Sequence, residues 1–441
     1  MAAQIDRDLE RILDDVVMLG SFSPLTFHIS IASNFAPDLG ALLGESKATF
    51  AHEFGHLLHY STSYFGLTDI FPWARTIAAI TSLSHAITEE SITEVARQVL
   101  GHAREKQLYS IDDEYYYEPQ VELFPAARAA RGRWSINEVT GSLFTIAGVL
   151  SNRRFWATRF FLEDGAQRGA IDQSFLRIPL GMRTALEHMA MSIDFMGEMR
   201  STDPQSLSMK YGEQASEPEL LHYFCLTHWV GPEMERKYGR QSVQQSYFVA
   251  GQLVSVLTEI PFNEPDIWTA LTSYAKKHRL DLVPHMSHPH PSFIFPLIRH
   301  AAFKANIDYY NYDLDGMEAR ANSLLAALNL PSLIELRTHT DRLRSRVGEV
   351  LKRSEVGAAL WTLLQWLEEY GIRLGWKDRL ANPTRDLGEQ PPVPLVFQDR
   401  TYLDGTILRC GVVKALAKLG RRREEMLRFP FIRDIVRDIV P

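Results

Sequence analysis

Two histidines and a glutamate in the segment from Thr49 to Tyr60 have a spacing that can support metal chemistry. His52, Glu53 and His56 form the pattern His-Glu-x-x-His within an apolar, helix-like stretch. Successive residues of an α-helix are about 100° apart, so His52 and His56 lie about 40° from each other on one face. Two imidazoles one turn apart can bind one Zn²⁺ ion, and Glu53 can take a proton from the zinc-bound water. The spacing therefore predicts one zinc ion per chain, with His52 and His56 as ligands and Glu53 as the catalytic base.

A third histidine, His59, extends the motif to His-Glu-x-x-His-x-x-His. It lies about 60° from His56 around the helix, where it could be a third ligand or a neighbour that reaches the metal through water. The alternative, which we favour, is a histidine packed at the C-terminal end of the helix, where its charge suits the helix dipole. The residues after it supply neither the glycine nor the further histidine of the metzincin pattern.

Two later helical segments offer a carboxylate as the third ligand, since catalytic zinc usually has three protein ligands and a water molecule. Glu187 lies in a strongly apolar segment that leaves little polar surface around its carboxylate, and we favour it. Glu90 is the alternative. Glu94 follows it by four residues, so one of these two carboxylates could bind the metal while the other orients a ligand histidine. Spacing alone does not decide between Glu187 and Glu90.

These segments resemble the gluzincin class of zinc metallopeptidases. Residues 179–191 are similar to the Glu-x-x-Ala helix that carries the third ligand in many gluzincins, with Glu187 and Ala190 at the matching positions. Ala190 would leave room for the metal helix, and Asp194 falls on the same face as Glu187. The segment around Glu90 looks like the Glu-x-x-x-Asp/Glu arrangement of thermolysin-like enzymes.

A largely uncharacterised bacterial group with the same zinc motif is also similar to the chain. The matching stretches are Ser61 to Leu67, directly after the metal helix, and Gly181 to Ala190. The resemblance implies a zincin-like catalytic core, one zinc ion and hydrolysis of peptide bonds in a protein or peptide substrate. In gluzincins a substrate-aligning strand precedes the metal helix, and residues 25–32, which alternate in polarity, could form it.

Zincins often use a histidine or tyrosine to stabilise the oxyanion of the tetrahedral transition state. The possible stabilisers in this chain are His288, His290 and Tyr60, with Tyr64 and His188 as weaker candidates. His288 and His290 lie in a segment similar to the His-Pro segment downstream of the third ligand in some zinc peptidases. There an arginine follows the proline closely, whereas here the first arginine is Arg299. For these two histidines we favour the alternative of a proline-rich turn with exposed imidazoles.

The composition excludes several other classes of protein. The 441 residues are 45% apolar and 23% charged, with a formal net charge of −7, which is typical of a globular protein rather than a disordered chain. A general nucleic-acid binder would be more basic, and no polybasic segment or apolar run of about 20 residues suggests a membrane partner. The two cysteines have no CxxC partner, and the N-terminus has no apolar signal segment. We therefore expect a cytoplasmic location.

Apolar periodicity predicts a mainly α (α+β) fold, with a small sheet and an active-site helix. The predicted helices cover residues 4–18, 46–61, 73–106, 136–163, 180–199, 217–229, 241–259, 266–278, 293–304, 315–329 and 332–375. An Asp-Gly pair at 404–405 suggests a hairpin turn. We expect a zincin-like metallopeptidase domain with helical insertions over residues 1–305 and a mostly helical C-terminal region over 306–441.

Two other functions stay open at this point. One is a catalytically silent zinc-binding interaction or scaffold protein, for which the helical region 306–441 offers a surface. The other is a dedicated protease that cleaves one regulator in bacterial stress or phage defence, since such enzymes carry a similar helix. A purely structural zinc site would not need Glu53 and would normally have four protein ligands, which favours the peptidase. Nothing in the sequence indicates the oligomeric state or the substrate.

Overall fold

The structure is a computed structural model that describes part of the chain. The described residues are 20–23, 28–31, 44–68, 70–71, 74, 134–135, 141–147, 152–162, 175–179, 182–199, 203–214, 221–239, 243–286, 289–309, 314–353, 355–385, 395–397 and 400–402. Glu90 and His288 lie outside these ranges, as do the predicted helix at 4–18 and nearly all of that at 73–106. The described part of the protein is mostly helical, in agreement with the predicted class.

Most of the predicted helices are present within a few residues of the expected bounds. The helices in the described part of the chain are α1 Gly44–Thr62, α2 Met182–Glu198, α3 Pro204–Gln214, α4 Leu221–Tyr238, α5 Val243–Glu259, α6 Pro265–Lys277, α7 Pro291–Lys304, α8 Met317–Ala327, α9 Leu333–Leu351 and α10 Glu355–Ala381. The predicted helix at 332–375 is two helices, α9 and α10. Local signals fix some of these bounds. A reciprocal capping box between Ser332 and Glu335 begins α9, and proline occupies the first turn of α6 and α7.

The strands form two small sheets. The first has the order β1-β2-β7-β8, from Gly20–Ser23, His28–Ile31, Leu395–Phe397 and Arg400–Tyr402. In it β2 pairs antiparallel with β1 and parallel with β7. Since β2 is paired on both sides, it offers no free edge on which a peptide could align as an added strand. Over the described residues 28–31, the predicted strand is therefore present but does not have the free edge that substrate alignment would need, and residues 25–27 and 32 lie outside the described part of the chain.

The prediction of a helix at 136–163 is wrong, because the described residues of this segment form strands of the second sheet. This region contains β4 Gly141–Ala147 and β5 Asn152–Leu162. The short strand β3 Trp134–Ser135 lies directly before it, and β6 Phe175–Pro179 pairs with β5. The strand β5 is rich in aromatic residues, which favour the pleated surface of a sheet. A run of apolar residues fits a helix and a strand about equally, and here the strand-forming preference prevails.

The metal-motif helix α1 is the central element of the fold. It packs against α2, against α10 and against the strands β1 and β2. Its apolar side chains belong to one large buried cluster that also contains side chains of α5, α7, α9 and α10. The core therefore includes residues on both sides of position 305, and the division of the chain there stays a prediction. Among the described helices, none is both long enough and apolar enough to cross a membrane.

Candidate metal centre

The structure brings together two histidines from α1 and one glutamate from α2. One ligand atom each from His52, His56 and Glu187 lie within 4.8 Å of one another. The imidazole rings of His52 and His56 meet edge to face, with centroids 4.9 Å apart. The side chains of these three residues are half-buried or buried, so they converge in a sheltered position that solvent still reaches. This group could hold a metal ion.

Close contact between α1 and α2 allows this convergence. Gly55 lies directly before His56, and a Cβ atom at Gly55 would overlap with Cδ1 of Ile193 on α2. Only a glycine lets the two helix backbones approach to this separation without a shift of Ile193. Ala190, which also has a small side chain, is fully buried on α2. Sequence reasoning assigned the close packing to Ala190 and overlooked Gly55.

Asp194 orients one of the candidate ligands. Its Oδ2 atom lies 2.8 Å from Nδ1 of His52, so the Nδ1–H group of His52 can donate a hydrogen bond to this carboxylate. The ring then presents its Nε2 atom for coordination, the usual arrangement of a carboxylate behind a metal-binding histidine. Burial lowers the pKa of His52, but the hydrogen bond and charge of Asp194, helped by Glu53 and Glu187, outweigh burial and raise it to about 9.

Glu53 has the environment of a base. Its side chain is buried on α1 next to His52, with an exposed fraction of 6%. Burial raises the pKa of Glu53 above the ordinary glutamate value, the carboxylates of Glu187 and Asp194 raise it further, and the two histidines oppose the shift. A buried carboxylate with a raised pKa binds a proton more readily than an exposed one.

The donor set and its spacing fit a small divalent cation. Nε2 of His56 and Oε2 of Glu187 are 3.2 Å apart. Around a tetrahedral zinc ion with bonds of roughly 2.0–2.1 Å, two ligand atoms are separated by about 3.3 Å. Two imidazole nitrogens and one carboxylate oxygen are also the ligands of many catalytic zinc sites, in which the fourth position is left for water or substrate. The donor types and the His56–Glu187 distance are therefore compatible with a zinc ion.

His59 belongs to the packing of α1. It is buried, and its pKa is lowered to about 3, chiefly by burial and also by the nearby charges of Arg379 and His56. The histidine is therefore neutral at physiological pH. We predicted that His59 packs near the C-terminal end of the helix, and its burial agrees with that prediction. We also expected its imidazole to be charged, and the lowered pKa contradicts this.

Three other residues considered as stabilisers of the oxyanion, Tyr60, Tyr64 and His188, are buried. Tyr60 and Tyr64 are buried in the apolar core. Both ring nitrogens of His188 lie near backbone carbonyl oxygens, at 3.1 Å from Tyr223 and 3.3 Å from Tyr247. Burial lowers the pKa of His188 to about 4, although these two carbonyls oppose the shift. His188 is therefore a buried, neutral histidine, and only one of its two ring nitrogens carries a proton that it can donate to these carbonyls.

The expectation of an exposed imidazole is wrong for His290. This residue is the N-cap of α7, and Nδ1 accepts a hydrogen bond from the backbone N–H of Ser292. Its exposed fraction is 1%, because the helix that it caps begins inside the core. Arg299, further along α7, donates from Nη1 to the carbonyl of Trp229 and lies over its indole ring. These contacts assign His290 to helix capping and Arg299 to the packing of α7 on α4.

The chain was compared with protein-family models, curated proteins and solved structures, and none of them matches it.

Proposed function

We propose that the protein is a zinc-dependent peptidase of gluzincin type, with His52, His56 and Glu187 as the zinc ligands and Glu53 as the general base. The observation that carries the proposal is the convergence of the three ligand side chains within 4.8 Å, with Glu53 buried directly beside His52. A structural zinc site would be closed by a fourth protein ligand. Within the described residues the site has three ligands beside a buried base, an arrangement that is instead suited to hydrolysis.

The donor set favours zinc or a neighbouring transition metal over magnesium and calcium. Magnesium and calcium prefer sites made mostly of oxygen atoms, whereas imidazole suits zinc and its transition-metal neighbours. When bound, a zinc ion lowers the pKa of a water molecule toward neutrality and polarises the carbonyl group of a substrate. Asp194 keeps the imidazole of His52 in the orientation and tautomer that coordination needs.

The proton transfers in peptide hydrolysis are assigned to Glu53. Its carboxylate accepts a proton from the attacking water as the new C–O bond forms at the peptide carbonyl. It then donates that proton to the amide nitrogen as the C–N bond breaks, which regenerates the carboxylate. Burial of Glu53 supports both steps, because a raised pKa brings the carboxyl group closer to the working pH.

The fold supports the same proposal at a coarser level. The resemblance to gluzincins implies a small sheet, an active-site helix and a later helix that carries the third ligand. The helix α1 packs against β1 and β2 and against α2, which is compatible with such a core. The additional helices α3 to α10 enlarge that core. We propose that the substrate is a protein or a peptide.

The experiment that tests this function compares the wild type with Glu53→Gln and with Glu198→Gln, a control on α2 that pairs with Lys210. The zinc-loaded proteins are incubated with a complex mixture of peptides, and new termini are identified by mass spectrometry. We expect cleavage by the wild type and by Glu198→Gln. Glu53→Gln should bind zinc equally well and cleave about 10²- to 10⁴-fold more slowly. Equal cleavage by Glu53→Gln, or no cleavage by the zinc-loaded wild type, would contradict the proposal.

A further inference from the structure

The last turn of α1 is bound by charged side chains from the C-terminal half of the protein. Arg344 on α9 donates from Nη1 to the carbonyl of Ser61 and from Nη2 to the carbonyl of Thr62, at 3.3 Å each. These carbonyls belong to the helix end that lacks partners within the helix. A buried guanidinium at this end is also favoured by the helix dipole. Arg344 therefore caps the metal helix from a position 283 residues later in the chain.

The charge of Arg344 is balanced inside the protein. Its Nε atom lies 3.0 Å from Oε1 of Glu368 on α10, and the arginine side chain is only 5% exposed. The planar guanidinium thus joins three helices, because its two terminal nitrogens contact α1 while its Nε faces α10. A lysine could supply the charge but not this fork of donors.

A second arginine acts on the same turn. Nη1 of Arg379 on α10 lies 3.4 Å from Oγ1 of Thr62 and 3.6 Å from Oε1 of Glu259 on α5. At Gly371 of α10, a Cβ atom would lie 3.3 Å from Cγ2 of Thr62, which shows how closely the two helices approach. The end of α1 is therefore contacted by arginines from α9 and α10, and the second of these also pairs with Glu259 of α5.

We propose that Arg344 is a positioning residue for the metal centre: by capping α1 it fixes the axial position and rotation of the helix that carries His52 and His56. The inference rests on the metal site of the proposed function and does not depend on peptidase activity. His56 is five residues from Ser61, or about 7.5 Å along the helix, so a shift of the last turn is passed on to its imidazole. Metal sites tolerate displacements of only about 0.5 Å. The helices α9 and α10 are then part of the metal centre rather than a separate interaction region.

The test removes the ion pair as a unit. The double variant Arg344→Met/Glu368→Met replaces both charges with apolar side chains, so that no charge is left buried without a partner. Arg299→Met is the matched control, because Arg299 is also a buried arginine that donates to a backbone carbonyl, but on α4. Zinc affinity is measured by competition with a chelator, and folding is checked by circular dichroism and urea unfolding of the metal-free proteins.

We expect the double variant to bind zinc about 10- to 100-fold more weakly than the wild type, as is typical when a supporting residue of a metal site is lost. The control should stay within about twofold of the wild type by the same measure. Wild-type affinity in a folded double variant, or an equal loss in Arg299→Met, would overturn the proposal. Arg344→Lys provides the test if the double variant does not fold, and we expect a smaller loss of affinity from it.

Zinc affinity separates this inference from the proposed function. If the wild type bound zinc but cleaved no peptide, the proposed function would fail, whereas the effect of Arg344 on zinc affinity would still be measurable. Amide hydrogen exchange tests the capping of α1 directly. Faster exchange over residues 58–62 in the double variant than in the wild type and Arg299→Met would support the role of Arg344. Unchanged exchange in this turn would overturn it.

Discussion

Nδ1 of His52 and Oδ2 of Asp194 lie 2.8 Å apart, although 142 residues separate them in the chain. The contact joins α1 to α2 and uses the ring nitrogen of His52 that is not needed for coordination. It also contributes to the raised pKa of this histidine: burial lowers that pKa, but the hydrogen bond and charge of Asp194, together with the charges of Glu53 and Glu187, outweigh burial. The same pair therefore orients His52, a candidate ligand, and adds an ion pair between α1 and α2.

Removal of Asp194 should weaken metal binding without removing a ligand. We expect Asp194→Ala to lower zinc affinity about 10- to 100-fold, because His52 loses the partner that fixes its orientation and its basicity. Asp194→Asn should cost less, since the amide oxygen can still accept the Nδ1–H hydrogen bond. Chelator competition measures both values against Glu198→Ala on the same helix. Wild-type affinity in Asp194→Ala would show that the contact has no role in the site.

The packing of Gly55 against Ile193 predicts that Gly55→Ala lowers both stability and zinc affinity, and that a second mutation, Ile193→Val, restores most of both. In Gly55→Ala the new methyl group overlaps with Cδ1 of Ile193, so the buried Ile193 side chain must shift or α1 and α2 must separate, and separation would move the ligands from the two helices apart. We expect the free energy of unfolding to fall by about 1–3 kcal/mol and zinc affinity to fall with it. Adding Ile193→Val removes Cδ1 and should restore most of both quantities.

The control for this cycle is Ile193→Val alone, measured by urea unfolding and chelator competition. This single change should cost about 0.5–1.5 kcal/mol and leave the ligands in place. If the double variant were no better than Gly55→Ala, the close approach of the two helices would not explain the requirement for glycine.

Because His59 is buried and neutral, we expect it to make the free energy of unfolding fall at acidic pH. Its pKa is lowered to about 3 in the folded protein, whereas an unfolded histidine titrates near pH 6.5. Between these values the unfolded chain binds the extra proton, so this residue reduces the free energy of unfolding as the pH falls below 6.5. The slope is about 1.4 kcal/mol per pH unit.

The measurement is urea unfolding of the metal-free wild type and of His59→Gln between pH 7 and 5. The difference in unfolding free energy between the two proteins should be constant above pH 6.5. Below it, the difference should change by about 1.4 kcal/mol per pH unit, to the disadvantage of the wild type. Parallel curves over the whole range would mean that His59 is not held neutral in the folded protein.

The local part of the site could be predicted from the sequence. The relative positions of His52, Glu53 and His56 follow from the geometry of one helix, so their spacing alone places them together. The prediction of Glu187 as a ligand depended on the apolar character of its segment and on the resemblance to a known helix, because no local rule links this residue to His52. The structure brings Glu187 to the two histidines, while Glu90 lies outside the described residues.

Features that depend on residues far apart in the chain could not be predicted from local sequence patterns. Arg344 contacts Ser61 across 283 residues, and a surface-like arginine in an amphipathic helix carries no sign of such a partner. His290 looked like part of an exposed turn because prolines surround it, yet it caps a helix that starts in the core. The strands β4 and β5 were missed because the same apolar run fits two periodicities.

The most direct measurement of the central claim is the zinc content per chain of the wild type, Glu187→Gln and Glu198→Gln by elemental analysis, with folding checked by circular dichroism. We predict about one zinc ion in the wild type and in Glu198→Gln, because Glu198 lies on the same helix but pairs with Lys210. Glu187→Gln should lose most of its zinc while remaining folded. A full complement of zinc in Glu187→Gln, or none in a folded and zinc-treated wild type, would contradict the account.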